Sequence, residues 1–90
     1  MITAAEAREL SGPGAEDYVA AIEKYIRREA ANKLHEVLIR DEPYAYWLYH
    51  EDKLSAEPKK ALKMLRDAGF TVSLYYRESQ FADIALHIQW

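Results

Sequence analysis

The chain contains no cysteine. That absence removes disulfides, thiolate nucleophiles and zinc or iron–sulfur sites built on sulfur, and it leaves stability to packing. No segment approaches the roughly 20 consecutive apolar residues of a membrane span. The start, MITAAEAREL, has neither the basic end nor the apolar stretch of a secretory signal, so a cytoplasmic location is expected and a membrane partner is not. Positive charge is not in excess either: 12 basic side chains face 15 acidic ones, net charge -3, and no protein-wide field draws the molecule toward nucleic acid. A local basic patch is the remaining route to such binding.

Recognisable catalytic patterns are also missing. There is no P-loop, no G-x-G-x-x-G, no G-x-S-x-G elbow, and no carboxylate pair whose placement across a cleft follows from spacing. His35, His50 and His87 are too scattered for the close or i, i+4 histidine pairs typical of metal sites. The expectation is a non-enzymatic protein with no cofactor and no metal.

What is present makes one globular domain. Half of the 90 residues are hydrophobic and 30% are charged, a mixture suited to a single core. Thr3 and Glu6 have capping-box spacing and open a short helical piece that stops at Ser11-Gly12-Pro13-Gly14. Residues 1–14 therefore read as an N-terminal arm, from which Leu10 can pack back, and residues 15–90 as the domain.

From Ala15 to about Lys33, apolar residues Tyr18, Val19, Ile22, Tyr25, Ile26 and Ala30 recur at helical steps, with acids early and bases late. HEVLIR, residues 35–40, has the composition and shortness of a strand. Pro43 suits a first helical turn, with Asp41 or Glu42 as the cap, which predicts a short helix over 43–51. Ser55 is the expected N-cap of a helix to Ala68, stopped by Gly69. Residues 70–77 and 84–90 then alternate as two strands of a hairpin around Glu78-Ser79-Gln80, with Trp90 reaching the core. The fold class is α+β: helices on one face of a small three-stranded antiparallel sheet, in the winged-helix-like order helix, strand, helix, helix, strand, strand.

Two features carry candidate function. On the helix over 55–68, Lys59, Lys63 and Arg66, with Lys60 beside them, make a basic stripe at the position where a winged helix reads DNA. Solvated charged faces are the norm on amphipathic helices, and the first turn of this one holds Ala56, Glu57 and Pro58 rather than base-reading side chains.

The second feature is DEPYAYWLYHED, residues 41–52. At 100° per residue Tyr44, Trp47 and Leu48 share one side, and Tyr46, Tyr49 and His50 turn toward another. The first group suits a core. Exposed tyrosines suit a protein interface, because they offer rigid area with a polar tip. Asp41, Glu42, Glu51 and Asp52 repel phosphates, so a protein partner, a second copy of this chain included, ranks above nucleic acid. An aromatic core with ordinary snorkelling tyrosines accounts for the same residues.

The chain resembles small uncharacterised proteins of tailed-phage and prophage genomes. In these a MITAAEAREL-like start, a DEP-aromatic-x-x-W-L-Y segment, here DEPYAYWLY, and a closing G-F-x-V-x-x-Y-Y hairpin ending in Trp occur together. The resemblance covers most of the chain and carries no catalytic residues. It implies a phage-side role in a bacterial host, controlling phage genes or modulating a host protein.

Overall fold

A computed structural model describes every residue except Ser11 and Pro13, and no side chain of Arg8, Glu9 or Leu10. The expected contact of Leu10, and part of the Ser11-to-Gly14 break, therefore lie outside the described residues. Around that break, Gly12 adopts a positive φ of 90° and Gly14 is the N-cap of the next helix.

The elements are α1 (Ala4–Leu10), α2 (Ala15–Ala31), β1 (Glu36–Ile39), 3-10 turns at Tyr44–Tyr46 and Glu51–Lys53, α3 (Ala56–Asp67), β2 (Thr71–Arg77) and β3 (Asp83–Gln89). Three antiparallel strands lie in the order β1-β3-β2, so the last strand is central. The architecture is α+β, in the expected order.

One face of the sheet carries Val37 and Ile39 from β1, Val72 from β2, and Leu86 and Ile88 from β3. Against it pack Ile22 and Ile26 of α2 and Ala61, Leu62 and Leu65 of α3, forming the core. Both helices place apolar residues at three- and four-residue steps, which is why each buries one stripe and leaves its charges outside. The opposite sheet face is polar and has its own lattice: Arg40 makes two bonds to Asp83, at 3.0 and 3.1 Å, and lies 5.9 Å over the Tyr75 ring. Arg40 thus arches over fully covered Ala85, which sits between β1 and β2 on the central strand.

Both long helices end in Schellman closures. Gly69 (φ 100°) closes α3, with the Phe70 N–H donating to the Leu65 carbonyl, 3.1 Å. Lys33 (φ 63°) closes α2 in the same way, with the Leu34 N–H donating to Glu29, 3.0 Å, in a conformation glycine adopts more cheaply.

The short helix expected over 43–51 is a difference in kind. Tight 3-10 turns fill that slot, following a cis Glu42–Pro43 peptide. Two causes are visible. The Asp41 carboxylate, expected as a helix cap, instead accepts the hydroxyl proton of Tyr25 on α2, leaving only the Asp41 carbonyl to take the Ala45 N–H, 3.1 Å. A three-residue period also eclipses residues i and i+3, which lets Tyr44 and Trp47 face α2 together. Ser55 holds the N-cap position of α3 without a side-chain cap bond.

Candidate interaction surface

The segment 41–53 has an inner and an outer side. Inside, Trp47 is 3% exposed and meets Tyr18 and Tyr44 edge-on, with ring centroids 5.0 and 5.1 Å apart. Tyr44 also lies 6.1 Å from Tyr18 and 6.3 Å from Tyr25. Edge-to-face contact sets the positive ring edge against the negative face, so the cluster adds specific geometry to burial. The hydrogen bond to Asp41 is the main cause that raises the Tyr25 hydroxyl above its ordinary pKa; burial is the main cause for Tyr44.

Outside, Tyr46 is 43% and Tyr49 46% exposed, and His50 is open to solvent. Tyr49 meets His50 edge-on at 4.6 Å and stacks on Tyr76 of β2, with centroids 5.9 Å apart and planes only 11° from parallel. Tyr76 is itself 45% exposed, and Leu74, two residues earlier on the same strand face, is 38% exposed. At the hairpin tip Phe81 is still more open. The three residues proposed from the sequence are thus all exposed, with Tyr49 and His50 in contact, and strand β2 adds exposed Leu74 and Tyr76, the latter against Tyr49.

Sequence alternation identified the face of Leu74 and Tyr76 correctly but not its cover. Seven residues at about 3.4 Å each make β2 roughly 23 Å long. Core packing reaches Val72, while the end of the hairpin runs past the helices. No local pattern reports where a distant helix layer stops.

On α3, Lys59, Lys60 and Lys63 are exposed. Arg66 is committed to the fold: its Nη2 donates to the Val72 carbonyl oxygen, 3.1 Å. Glu57, in the first turn of α3, accepts the Ala15 N–H at 2.8 Å and so caps α2 across the bundle. The four acids around the aromatic turn, Asp41, Glu42, Glu51 and Asp52, are all exposed.

The three histidines stay apart: His35 precedes β1, His50 lies in the turn, and His87 on β3 places Nε2 3.3 Å from Glu36 Oε2. Among the described residues no group of three metal-ligating side chains converges, and no helix is long and apolar enough to cross a membrane. An open groove of about 490 Å³ is lined by Ala21, Lys24, Tyr25, Arg28, Asp41 and Tyr44. Its charges are partly occupied, since Asp41 holds Tyr25 and Arg28 Nε donates to Glu29, 3.0 Å.

No known family model, no curated protein and no solved structure matches this chain.

Proposed function

We propose that the chain is a non-enzymatic interaction protein that docks on a host or phage protein in the bacterial cytoplasm through Tyr46, Tyr49 and His50, with Tyr76 beside them. The observation that carries this reading is the solvent-facing Tyr49–Tyr76 stack: two large rings packed on each other, each nearly half exposed. Ordering a side chain before association lowers the entropy lost on binding, which is why rigid aromatic anchors dominate interface energetics. The surrounding carboxylates select a partner with basic residues around an apolar recess and repel a phosphate backbone.

The test compares immobilised wild-type protein with Tyr46→Ala and Tyr49→Ala. Both variants are expected to keep the wild-type circular dichroism spectrum and to lose a protein band that the wild type retains from host extract. Retention of the same band by both folded variants would sink the proposal.

A second reading, a winged-helix DNA-binding regulator, is favoured by one observation: Lys59, Lys60 and Lys63 are exposed on the helix that occupies the reader position. It predicts retardation of duplex DNA at low salt, with affinity falling steeply as salt rises and reduced in Lys59→Glu or Lys63→Glu. Arg66 is less free for phosphate than the lysines, because its guanidinium is bonded at Val72.

A further inference from the structure

The two edges of the sheet are unequal. β1 has only four residues, Glu36–Ile39, and is bracketed by the charges of Glu36 and Arg40. Short, charged edges resist pairing with another strand. β2 has seven residues, no proline and no charge before Arg77. Its outer edge is the better template for a new strand.

The backbone groups on that edge follow from the ladder. The Trp90 N–H donates to the His35 carbonyl at 2.9 Å, so His35 and Trp90 form a hydrogen-bonded pair across β1 and β3. Antiparallel pairs alternate, which aims Ile88 and Leu86 at β1 and Gln89, His87, Ala85 and Asp83 at β2. On β2 the partners of those four are Thr71, Ser73, Tyr75 and Arg77. The N–H and C=O groups of Val72, Leu74 and Tyr76 therefore point outward. Arg66 confirms the direction by donating to the Val72 carbonyl from outside the sheet. It covers the first half of the edge and leaves the groups of Leu74 and Tyr76 open.

We propose that the open half of β2 pairs antiparallel with β2 of a second copy of this chain, about a twofold axis between the two Tyr75 residues, joining two sheets into one of six strands. In this register Leu74 lies opposite Tyr76 of the second copy, and Tyr76 opposite Leu74. Each pair exchanges two backbone hydrogen bonds, and none requires the Val72 carbonyl that Arg66 occupies. Each pair also sets an exposed aliphatic side chain against an exposed ring on the helix-covered face, the kind of cross-strand contact that stabilises sheets. Arg77 meets Ser73 and Glu78 meets Val72, so no like charges face each other. A register centred on Leu74 would instead bring the Tyr76 N–H to the carbonyl already bonded to Arg66. Self-complementarity of this kind is what a twofold interface requires, and it favours a second copy over an unrelated strand.

The pairing shares Tyr76 with the proposed docking surface, but its hydrogen bonds and its axis lie on β2, so Tyr46→Ala and Tyr49→Ala are expected to leave the dimer intact. Sedimentation equilibrium of the wild type up to about 1 mM protein, the weak end of specific affinity, is expected to show a concentration-dependent shift from 10.4 kDa to twice that mass. Leu74→Lys places a charge on the edge, and Tyr76→Pro removes an outward N–H while sparing the bonds to β3; both are expected to be monomeric with wild-type circular dichroism.

The register has its own readout. Tyr75 faces its own copy in a non-hydrogen-bonded pair, where Cα atoms lie about 4.5 Å apart, within disulfide reach. In this cysteine-free chain, Tyr75→Cys is expected to cross-link to a dimer under mild oxidant, and Ser73→Cys to form no cross-link. A wild type that remains monomeric throughout, a dimer that survives Leu74→Lys, or a Tyr75→Cys protein that does not cross-link would each overturn the proposal.

Discussion

Tyr44 and Trp47 stand three residues apart on the turn after β1, and so do Tyr46 and Tyr49 on the same turn. The first pair is built into the core against Tyr18, whereas the second meets solvent, with Tyr49 touching the rings of His50 and Tyr76. Residue type is almost the same on both sides; what differs is the element each side faces. The inner side has α2 across from it, and the outer side has the uncovered end of a hairpin. Aromatic density in a sequence therefore reports hydrophobic area without saying whether another layer of the same chain covers it.

Substitutions on the two sides should separate by size. Trp47→Ala empties a site enclosed by two tyrosines and is expected to cost about 3–5 kcal/mol of unfolding free energy, enough to unfold a marginal domain of this length. Urea titration followed by circular dichroism measures it. A cost below about 1 kcal/mol would show that the turn is not anchored through its inner ring.

Next in size is the tie between the inner side and α2. Tyr25→Phe removes the bond to Asp41 and is expected to cost about 1 kcal/mol near neutral pH, since both partners remain partly hydrated. The same bond predicts an alkaline limit. The Tyr25 and Tyr44 hydroxyls have folded-state pKa values above the ordinary 10.0, so their contribution is full below pH 10 and is lost as pH rises through the folded values. Thermal melts taken from pH 8 upward should show stability falling above about pH 10, with a shallower fall in Tyr25→Phe. An identical alkaline slope in the variant would detach that limit from the Tyr25–Asp41 bond.

On the outer side, Tyr49→Ala loses one stacked ring and is expected to cost about 1 kcal/mol or less. Tyr46→Ala, with no ring partner among the described residues, should fall within about 0.5 kcal/mol of wild type. Unfolding midpoints in urea rank the two. A Tyr46 effect larger than that of Tyr49 would reverse the expected order.

Periodicity over 15–33 and 55–68 was enough to place both long helices, because each buries a single stripe whose spacing is local. Alternation likewise placed the hairpin strands. Gly69 announced its helix end through its chemistry, whereas the matching closure at Lys33 depends on a residue type that does not favour a positive φ. Three polar ties were not legible. Asp41 pairs with a tyrosine 16 residues away, Glu57 caps a helix 42 residues away, and Arg66 leaves the basic stripe for a strand carbonyl. Each is a competition between a local partner and a distant one, and only the folded arrangement decides it. Tyr46, Tyr49 and His50 were separable from Tyr44 and Trp47 by angle alone; Leu74 and Tyr76 were not separable from Val72, because all three share one strand face.

The urea unfolding free energy of the Tyr46→Ala/Tyr49→Ala double variant, measured beside Trp47→Ala, tests most directly whether one turn carries a structural side and a free side. A two-sided turn predicts that the double variant unfolds cooperatively within about 1.5 kcal/mol of wild type while Trp47→Ala loses at least twice as much. A double variant as damaged as Trp47→Ala would contradict it, because the outer tyrosines would then belong to the core.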